Sequence, residues 1–169
     1  MKKAKLIIDG KEIEVEITQE QLNKLCPPKK KTGYERVEEG EPYWSVICTD
    51  KASVAIESEC DINGELYRGA NYYSDKTVAE NNARADKLMR QLRRFAVEHR
   101  EKELDWGNDN QAKWYVSYRN VKKEFKAYLT YSVQDFGKIY FDTEKTAQLA
   151  IKTFKDELLW YFTEYKDSL

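Results

Sequence analysis

Apolar and polar residues alternate near the start of the chain in a pattern that predicts a β-hairpin. Residues 5–17 surround Asp9-Gly10, a dipeptide that favours the tight type I′ turn between two antiparallel strands. If these two residues form the turn, Leu6 faces Ile13 on an apolar side of the hairpin. The opposite side then pairs lysines of the first strand with glutamates of the second. We therefore expect one buried face and one solvated face.

The hairpin is followed by signals for a short helix and then for a linker. Thr18 and Gln21 have the spacing of a capping box, in which the side chain of each residue bonds the backbone N–H of the other. Pro27-Pro28 ends the helix because proline lacks a backbone N–H and clashes with the preceding turn. We place a first unit at residues 1–26 and a linker at 27–42.

Beyond the linker, the pattern predicts short strands followed by a long helix with an apolar period of about 3.6 residues. We place this first lobe at residues 43–104. It is predicted to contain strands at 43–48 and 53–59, a turn-rich excursion at 60–71 with a short strand at 65–67, and a helix at 74–99. Apolar residues recur along one side of the helix, as Leu88 and Leu92 do, and form a buried stripe.

A second lobe, at residues 112–169, has the same order of elements. A strand hairpin is predicted at 114–131, and a long helix closes the chain. The apolar stripe of this helix keeps a period of about 3.6 residues, and Leu158 lies at its centre. Leu159 and Trp160 lie outside the stripe. We therefore expect the helix to be sandwiched between layers or to meet a partner.

The two lobes share a short motif at the start of their helices. Ser74 and Thr143, which are 69 positions apart, are the predicted N-caps of the two helices. Each begins a run of a hydroxyl residue, an acid, Lys-Thr and a small apolar residue. The apolar phase behind the two motifs also coincides. Similarity at one fixed offset is typical of a repeated unit. We therefore predict an α+β fold, with an N-terminal hairpin and short helix followed by two repeated lobes of an antiparallel hairpin and a long helix.

Composition limits the partners that the whole chain attracts. Among 169 residues, 29 are basic and 30 are acidic, so the formal net charge of −1 gives no global attraction to nucleic acid or to an anionic membrane. Aromatic residues make up 13%, which supplies large core side chains and indicates a folded protein. No apolar run approaches the roughly 20 residues that span a bilayer. We expect a cytoplasmic protein that does not contact a membrane.

The residues that most enzymes need are sparse in this chain. His99 is its one histidine, and Cys26, Cys48 and Cys60 are too widely spaced for a zinc site or a disulfide framework. The sequence has no Gly-rich phosphate loop and no nucleophile elbow. Cys48 falls in a predicted strand, where we expect a buried, inert thiol. We therefore expect no enzymatic activity, no bound metal and no cofactor.

One candidate binding surface is a basic stripe on the first long helix. Its members are Arg84, Lys87, Arg90, Arg93 and Arg94. Such a stripe can contact phosphates or an acidic protein surface. The alternative is a solvated helix side without a partner, which the balanced total charge favours.

A second candidate surface is the aromatic hairpin of the second lobe. Alternation places Tyr115 and Tyr128 on the side of the sheet opposite to Trp114 and Phe125, which suit the core. Exposed tyrosines on a sheet can stack on bases or anchor a protein partner. The alternative is a cross-strand aromatic pair that only stabilises the sheet. The sequence leaves both interpretations open.

Four segments carry distinctive aromatic and capping residues, at 32–37, 72–74, 137–141 and 156–162. Together with the N-terminal hairpin and its Thr18-capped helix, these segments resemble small accessory proteins encoded by phages and prophages of Gram-positive hosts. It covers most of the chain, but its motifs are structural, so it carries over no catalytic residue. The resemblance implies a phage context. That group includes inhibitors of bacterial immunity, among them anti-CRISPR proteins.

We therefore predict a non-enzymatic, phage-encoded inhibitor that binds a host defence complex in the host cytoplasm. The specific expectation is an anti-CRISPR protein that acts on a Cas nuclease or on its guide RNA complex. Acidic turn residues would engage the basic channel of the nuclease, and these are Glu38, Glu39, Glu41, Asp105 and Asp109. Trp160 and the basic stripe would add contacts to the protein or to the guide RNA.

Two other functions stay open at this point. One is a nucleic-acid-binding module that uses Arg90, Arg93 and Arg94 with the exposed tyrosines. The other is a phage accessory protein with a structural or regulatory role. The sequence also leaves open whether the chain forms a homodimer.

Overall fold

The computed structural model describes residues 2–8, 11–27, 30–46 and 51–165, and these form helices and antiparallel sheets. The predicted α+β class is therefore confirmed. The described strands form two hairpins and one sheet of three strands. No helix in these ranges combines the length and the apolar character needed to cross a lipid bilayer.

The N-terminal hairpin has the predicted register but not the predicted burial. β1 (Lys2–Ile8) pairs with β2 (Lys11–Ile17), and Leu6 lies opposite Ile13. Residues 9 and 10, which carry the predicted turn, lie outside the described ranges. The expectation of a buried apolar face is wrong for Ile13, which is 46% exposed. Little of the described chain packs over the hairpin, and the following helix α1 (Gln19–Leu25) buries none of its own residues.

The capping box of α1 is confirmed. The Thr18 hydroxyl accepts a hydrogen bond from the Gln21 backbone N–H at 3.2 Å, and the Gln21 side chain accepts one from the Thr18 N–H at 2.9 Å. These bonds satisfy two of the backbone donors that a helix start leaves unpaired. The helix ends before Pro27, and Pro28 lies outside the described residues.

The described part of the predicted linker is packed against the first lobe. Gly33 is buried with a φ of +88°, and its carbonyl accepts a hydrogen bond from the Ser74 N–H at 2.8 Å. The Glu35 carboxylate accepts hydrogen bonds from Thr32, Gly33 and the Ser74 hydroxyl. This segment therefore holds the start of the first long helix. The division of the chain into domains stays a prediction.

The first lobe begins with a hairpin of β3 (Pro42–Ser45) and β4 (Ser53–Ile56). Residues 47–50, and with them the expected environment of Cys48, lie outside the described ranges. The turn-rich excursion and its short strand were predicted wrongly, because α2 (Asp61–Arg68) occupies this stretch. The buried Asn63 side chain accepts a hydrogen bond from the Tyr43 hydroxyl and donates to the Ser58 carbonyl. These distant partners replace the local bonds that make asparagine a turn residue.

The first long helix, α3 (Lys76–Glu98), has its cap one residue later than expected. Asp75 is its cap, since the Asp75 carboxylate accepts a hydrogen bond from the Val78 N–H at 3.0 Å. Ser74, the expected cap, instead donates its hydroxyl to Glu35. Asp75 and the Thr143 cap of the later helix are 68 positions apart, one fewer than the spacing of the motif.

The second lobe contains β5 (Lys113–Arg119), β6 (Glu124–Thr130) and β7 (Tyr140–Phe141), with β5 in the middle of the sheet. Trp114 of β5 pairs with Phe141, just before the last helix. In the first lobe, Trp44 of β3 bridges to Tyr73, just before α3. Both lobes therefore place their first strand between the second strand and the residue that leads into the helix. The repeat itself stays a prediction.

The final helix is broken rather than continuous. It consists of α4 (Glu144–Thr153), α5 (Lys155–Trp160) and one π-helical turn (Tyr161–Tyr165). Phe154 separates α4 from α5 with a ψ of 23°, which departs from helical geometry. The predicted cap at Thr143 is confirmed, because its hydroxyl accepts a hydrogen bond from the Thr146 N–H at 3.1 Å.

The main core lies between the helices and the three-stranded sheet. Its fully buried members include Leu88, Leu92 and Phe95 of α3, together with Phe141 and Leu158. The predicted stripes of both long helices are thus placed correctly at these positions. α3 contacts β3 of the first lobe and also α4 and the π-helical turn of the second, so both lobes pack on one helix.

Candidate functional site

The three-stranded sheet has one side toward the core and one side toward solvent. Trp114 and Val116 pack on the core, so Tyr115 between them points to the opposite side. Strand pairing places Tyr128 and Tyr140 on the two sides of Tyr115. We call this side of the sheet the tyrosine face. Its defining residues are Trp106, Tyr115, Lys126, Tyr128, Lys138 and Tyr140.

Four aromatic rings form a row across the tyrosine face. The Tyr115 and Tyr128 ring centres are 5.9 Å apart, with an angle of 22° between the rings. Tyr140 meets Tyr115 edge-on at 5.9 Å, and Trp106 meets Tyr140 edge-on at 4.9 Å. All four side chains are half-buried, so each keeps part of its ring in contact with solvent. The row crosses the three strands and continues onto the loop that precedes β5.

Lysine ammonium groups lie over two of these rings. The Lys138 Nζ is 3.7 Å from the centre of the Tyr115 ring, and the Lys126 Nζ is 5.5 Å from that of Tyr128. Lys138 also forms a 2.6 Å ion pair with Asp135. Partial burial lowers the pKa of Lys138, but its hydrogen bonds to Asp135 and Tyr115 outweigh this effect and raise the pKa overall. The face therefore combines aromatic surface with fixed positive charge.

A third lysine beside the row has a structural role. Lys113 is fully buried, and its ammonium donates hydrogen bonds to the carbonyls of Asn108, Gln111 and Tyr131 at 2.8–3.1 Å. These three bonds compensate the cost of burying its charge. Lys113 thus ties the loop of Trp106 to the sheet and places that ring at the end of the row.

The predicted cross-strand tyrosine pair is present, since Tyr115 and Tyr128 lie directly opposite in register. The pair stabilises the sheet and also leaves aromatic surface open to solvent, so the two alternatives drawn from the sequence do not exclude each other. Tyr140, Lys138 and Trp106 were not identified from the sequence. Tyr140 joins the face through the pairing of β7 with β5, and Lys138 lies just before β7. Trp106 joins it through its edge-on contact with Tyr140.

Two predicted partner contacts are satisfied inside the molecule instead. Arg84 forms a bidentate ion pair with Glu157 at 2.8 and 3.1 Å, and its guanidinium lies 3.9 Å over the Trp160 ring. Trp160 is only 7% exposed. The expectation that Trp160 contacts a partner directly is therefore wrong, because Arg84 of α3 and Tyr165 of the π-helical turn pack on the ring. Arg84 links α3 to α5.

The remaining basic stripe stands on the solvent side of α3. Lys87, Arg90, Arg93 and Arg94 are exposed, and Arg94 lies 3.6 Å from Glu98. The apolar side of α3 and the core side of the sheet enclose the same core. The arginines and the tyrosine face consequently point away from that core in different directions and do not form one surface.

The predicted acidic residues form two separate groups. Glu38, Glu39 and Glu41 are exposed near the end of β4, where the Gly40 N–H donates to the Glu57 carbonyl at 2.9 Å. Asp105 and Asp109 are exposed in the loop before β5, and the Asp105 carboxylate accepts a hydrogen bond from the Gly107 N–H. The stretch 30–75 carries ten acidic and five basic residues, so negative charge is concentrated in this part of the chain.

Sequence reasoning missed one buried carboxylate. Glu57 is 4% exposed and accepts hydrogen bonds from Arg36 at 2.8 Å and from the Tyr72 hydroxyl at 2.5 Å. The hydrogen bond from Arg36 is the main cause that lowers the pKa of Glu57, and the bond from Tyr72 adds to it. The Tyr72 ring stacks on Tyr43 at 4.1 Å. All these partners belong to the chain, so the group fastens segment 30–41 to the lobe and offers no open site.

Within the described ranges, no three His, Cys, Asp or Glu side chains lie together as a set of metal ligands. Comparison of the chain with protein-family models, with curated proteins and with solved structures returned no match. The tyrosine face is a described surface on which aromatic rings and cations converge.

Proposed function

We propose that this protein is a binding module for single-stranded nucleic acid and that the tyrosine face is its binding surface. The observation that carries the proposal is the row of four half-buried rings with Lys126 and Lys138 on an open side of the sheet. Unpaired bases stack on aromatic side chains with about 1–3 kcal/mol per base, and this stacking tolerates any base. The lysines supply contacts for the phosphates.

A single strand suits this surface better than a duplex does. The bases of a duplex are stacked on each other and leave no free ring surface for the tyrosines, whereas an unpaired base presents both sides of its ring. The positive charge needed is local, because residues 112–169 carry ten basic and eight acidic residues within a chain of net charge −1. The negative charge is concentrated at residues 30–75, away from the tyrosine face.

The test measures the affinity of the purified protein for labelled single strands. The probes are an oligothymidylate of about twelve nucleotides, within the site sizes of known single-strand binders, the matching oligouridylate, and a duplex of the same length. We expect the single strands to bind more tightly than the duplex at about 50 mM salt. In Tyr115→Leu/Tyr128→Leu, which keeps apolar bulk but removes the aromatic rings, we expect the affinity to fall about tenfold or more.

The matched control is Arg90→Ala/Arg93→Ala/Arg94→Ala, which changes the solvent side of α3. This variant should keep most of the single-strand affinity, with a small loss because the formal net charge of −1 becomes more negative by three. A larger loss in the arginine variant than in the tyrosine variant would move the site to α3. No binding of either single strand by the wild type would contradict the proposed function.

A second candidate function is inhibition of a nucleic-acid-handling host complex, as the resemblance to phage accessory proteins implies. The exposed acidic residues Glu38, Glu39 and Glu41 favour it, because an acidic surface is complementary to a basic nucleic-acid channel. Cleavage by a guide-loaded Cas nuclease, measured with wild type and with Glu38→Lys/Glu39→Lys, tests this role. Inhibition by the wild type that the variant loses would support an anti-CRISPR function, and unchanged cleavage with the wild type would contradict it.

A further inference from the structure

The position of Lys138 raises a question about how the tyrosine face accepts a base. Its ammonium lies 3.7 Å from the centre of the Tyr115 ring, within direct contact of that side of the ring. A base cannot stack on the same side while the ammonium stays there. We propose that the Asp135–Lys138 pair covers Tyr115 in the free protein and thereby limits the affinity of the tyrosine face for single-stranded nucleic acid. This inference rests on the proposed function and assigns Asp135 a positioning role.

The loop that carries the pair is fixed to the sheet by its own backbone. The Asp135 N–H donates a hydrogen bond to the Tyr140 hydroxyl at 2.7 Å, and that hydroxyl donates to the Val133 carbonyl at 3.4 Å. The Asp135 carboxylate then holds the Lys138 ammonium at 2.6 Å. Tyr140, itself a member of the aromatic row, therefore sets the place of the acid, and the acid sets the place of the lysine.

The second lysine of the face shows what Lys138 would do without its acidic partner. Lys126 lies farther from its ring, at 5.5 Å from the centre of Tyr128, and forms no ion pair with any described acidic residue. An ammonium over a tyrosine at an exposed site is only weakly stabilised, so a base can displace it. The Tyr128 side of the face is thus open to stacking, whereas the Tyr115 side is held closed by an additional ion pair.

Binding of a single strand then has a defined consequence at this place. The base takes the position over Tyr115, and the displaced ammonium turns to a phosphate, a stronger partner for a cation than an aromatic ring is. Asp135 opposes both steps, because it retains the ammonium and because its own negative charge repels the phosphate. Removal of that charge should therefore increase the affinity.

The experiment compares Asp135→Asn with Glu124→Gln. Both changes remove one negative charge from the second lobe, and both release a cation, since Glu124 pairs with Arg119 at 3.1 Å at the far end of the hairpin. We expect Asp135→Asn to bind the oligothymidylate probe about three- to tenfold more tightly than the wild type, and Glu124→Gln to give a smaller gain. In the background of Lys138→Gln, Asp135→Asn should give no more than the gain seen with Glu124→Gln.

A second readout follows the contact directly. The side-chain methylene protons of Lys138 next to its ammonium should resonate upfield in the free protein, because the ammonium that they adjoin lies 3.7 Å from the centre of the Tyr115 ring. In Asp135→Asn, and in the wild type saturated with the probe, these resonances should move toward their ordinary positions. Resonances that stay upfield in the complex would show that the ammonium remains on the ring, which would overturn the inference.

The outcomes separate the two proposals. A wild type that binds no single strand contradicts the proposed function and this inference with it. Binding by the wild type with equal gains in Asp135→Asn and Glu124→Gln overturns only the inference, because charge alone then accounts for the effect. A weaker affinity in Asp135→Asn would show that the acid supports the binding surface instead of limiting it.

Discussion

At the scale of single residues, neighbours in the last helical segment have opposite surroundings. Leu158 is 3% exposed and belongs to the main core, whereas Leu159 is 41% exposed. The 3.6-residue period predicted this difference, because it placed Leu158 on the apolar stripe and Leu159 beside it. The same period could not place Trp160, whose burial depends on Arg84 from a distant helix.

We expect Leu158→Asp to prevent folding. A carboxylate at this position has no described partner, and burial of an unpaired charge costs several kcal/mol. Leu159→Asp is the matched control, and it should melt within a few degrees of the wild type because its side chain reaches solvent. Circular dichroism during a thermal ramp measures both variants. A cooperative transition in Leu158→Asp near that of the wild type would show that the stripe is placed wrongly.

The buried carboxylate of Glu57 predicts a dependence of stability on pH. Its pKa is lower in the folded protein than in the unfolded chain, chiefly because of the hydrogen bond from Arg36. The stabilisation is therefore present above the unfolded pKa of about 4.3 and is lost as the pH falls toward the folded pKa. Glu35 acts in the same direction, since hydrogen bonds from the Thr32 backbone lower its pKa to about 2.

Thermal melts from neutral pH down to about pH 2.5 test this dependence. The wild type should lose melting temperature as the pH falls below about 4.3. Glu57→Gln keeps the shape of the side chain but cannot ionise, so it should melt lower than the wild type at neutral pH and lose less on acidification. Parallel curves for the two proteins over this range would show that Glu57 does not contribute to the dependence.

At the scale of elements, sequence patterns that span only a few residues predicted the local structure correctly. The capping box at Thr18 and Gln21 and the register of the first hairpin depend on short-range bonds, and both are present. The helix α2 was missed because the hydrogen bonds of Asn63 reach Tyr43 and Ser58, and the turn preference of Asn63-Gly64 is overridden by these partners. The local sequence pattern around Asn63 does not reveal hydrogen bonds to residues outside the helix.

The packing of segment 30–41 on α3 depends on one glycine. A Cβ atom at Gly33 would lie 2.7 Å from the Val78 Cγ2, closer than side chains pack, whereas a Cβ at Gly40 would have nothing within 4 Å. Both residues have similar positive φ angles, +88° and +86°. An alanine would therefore strain the backbone at both positions. Only at Gly33 would it also collide with a neighbouring side chain.

We accordingly expect Gly33→Ala to destabilise the protein more than Gly40→Ala does. The difference should be about 1–3 kcal/mol, which is the usual cost of overpacking a close contact. Urea denaturation of the two variants and the wild type gives the three free energies of unfolding. Equal values for the two variants would show that Val78 yields without cost and that the segment is not tightly held.

At the scale of the whole molecule, the N-terminal unit stands apart from the rest. β1, β2 and α1 make none of the principal contacts between elements with either lobe in the part of the chain that the structure describes. A two-stranded hairpin with little cover is marginally stable. Neither the main core nor the tyrosine face includes a residue of this unit.

Removal of residues 1–26 should therefore leave the lobes folded. We expect the melting temperature to change by a few degrees at most and the affinity for the single-strand probe to stay within about twofold, because neither the core nor the binding surface loses a side chain. Calorimetry and the binding assay measure these effects. A collapse of the main transition in the shortened chain would show that the hairpin supports the lobes.

The helix α3 has a consequence for how the two lobes depend on each other. The order of strands around Trp44 and around Trp114 is alike, which favours the predicted duplication, although the caps differ by one position in spacing. Yet α3 contacts β3 on one side and the last helical segments on the other. If one lobe was duplicated to give the other, a single lobe no longer contains the whole core and is not expected to fold by itself. A chain cut back to the second lobe would lose the helix that carries Leu88 and Leu92, and a chain cut back to the first would expose those two leucines to water.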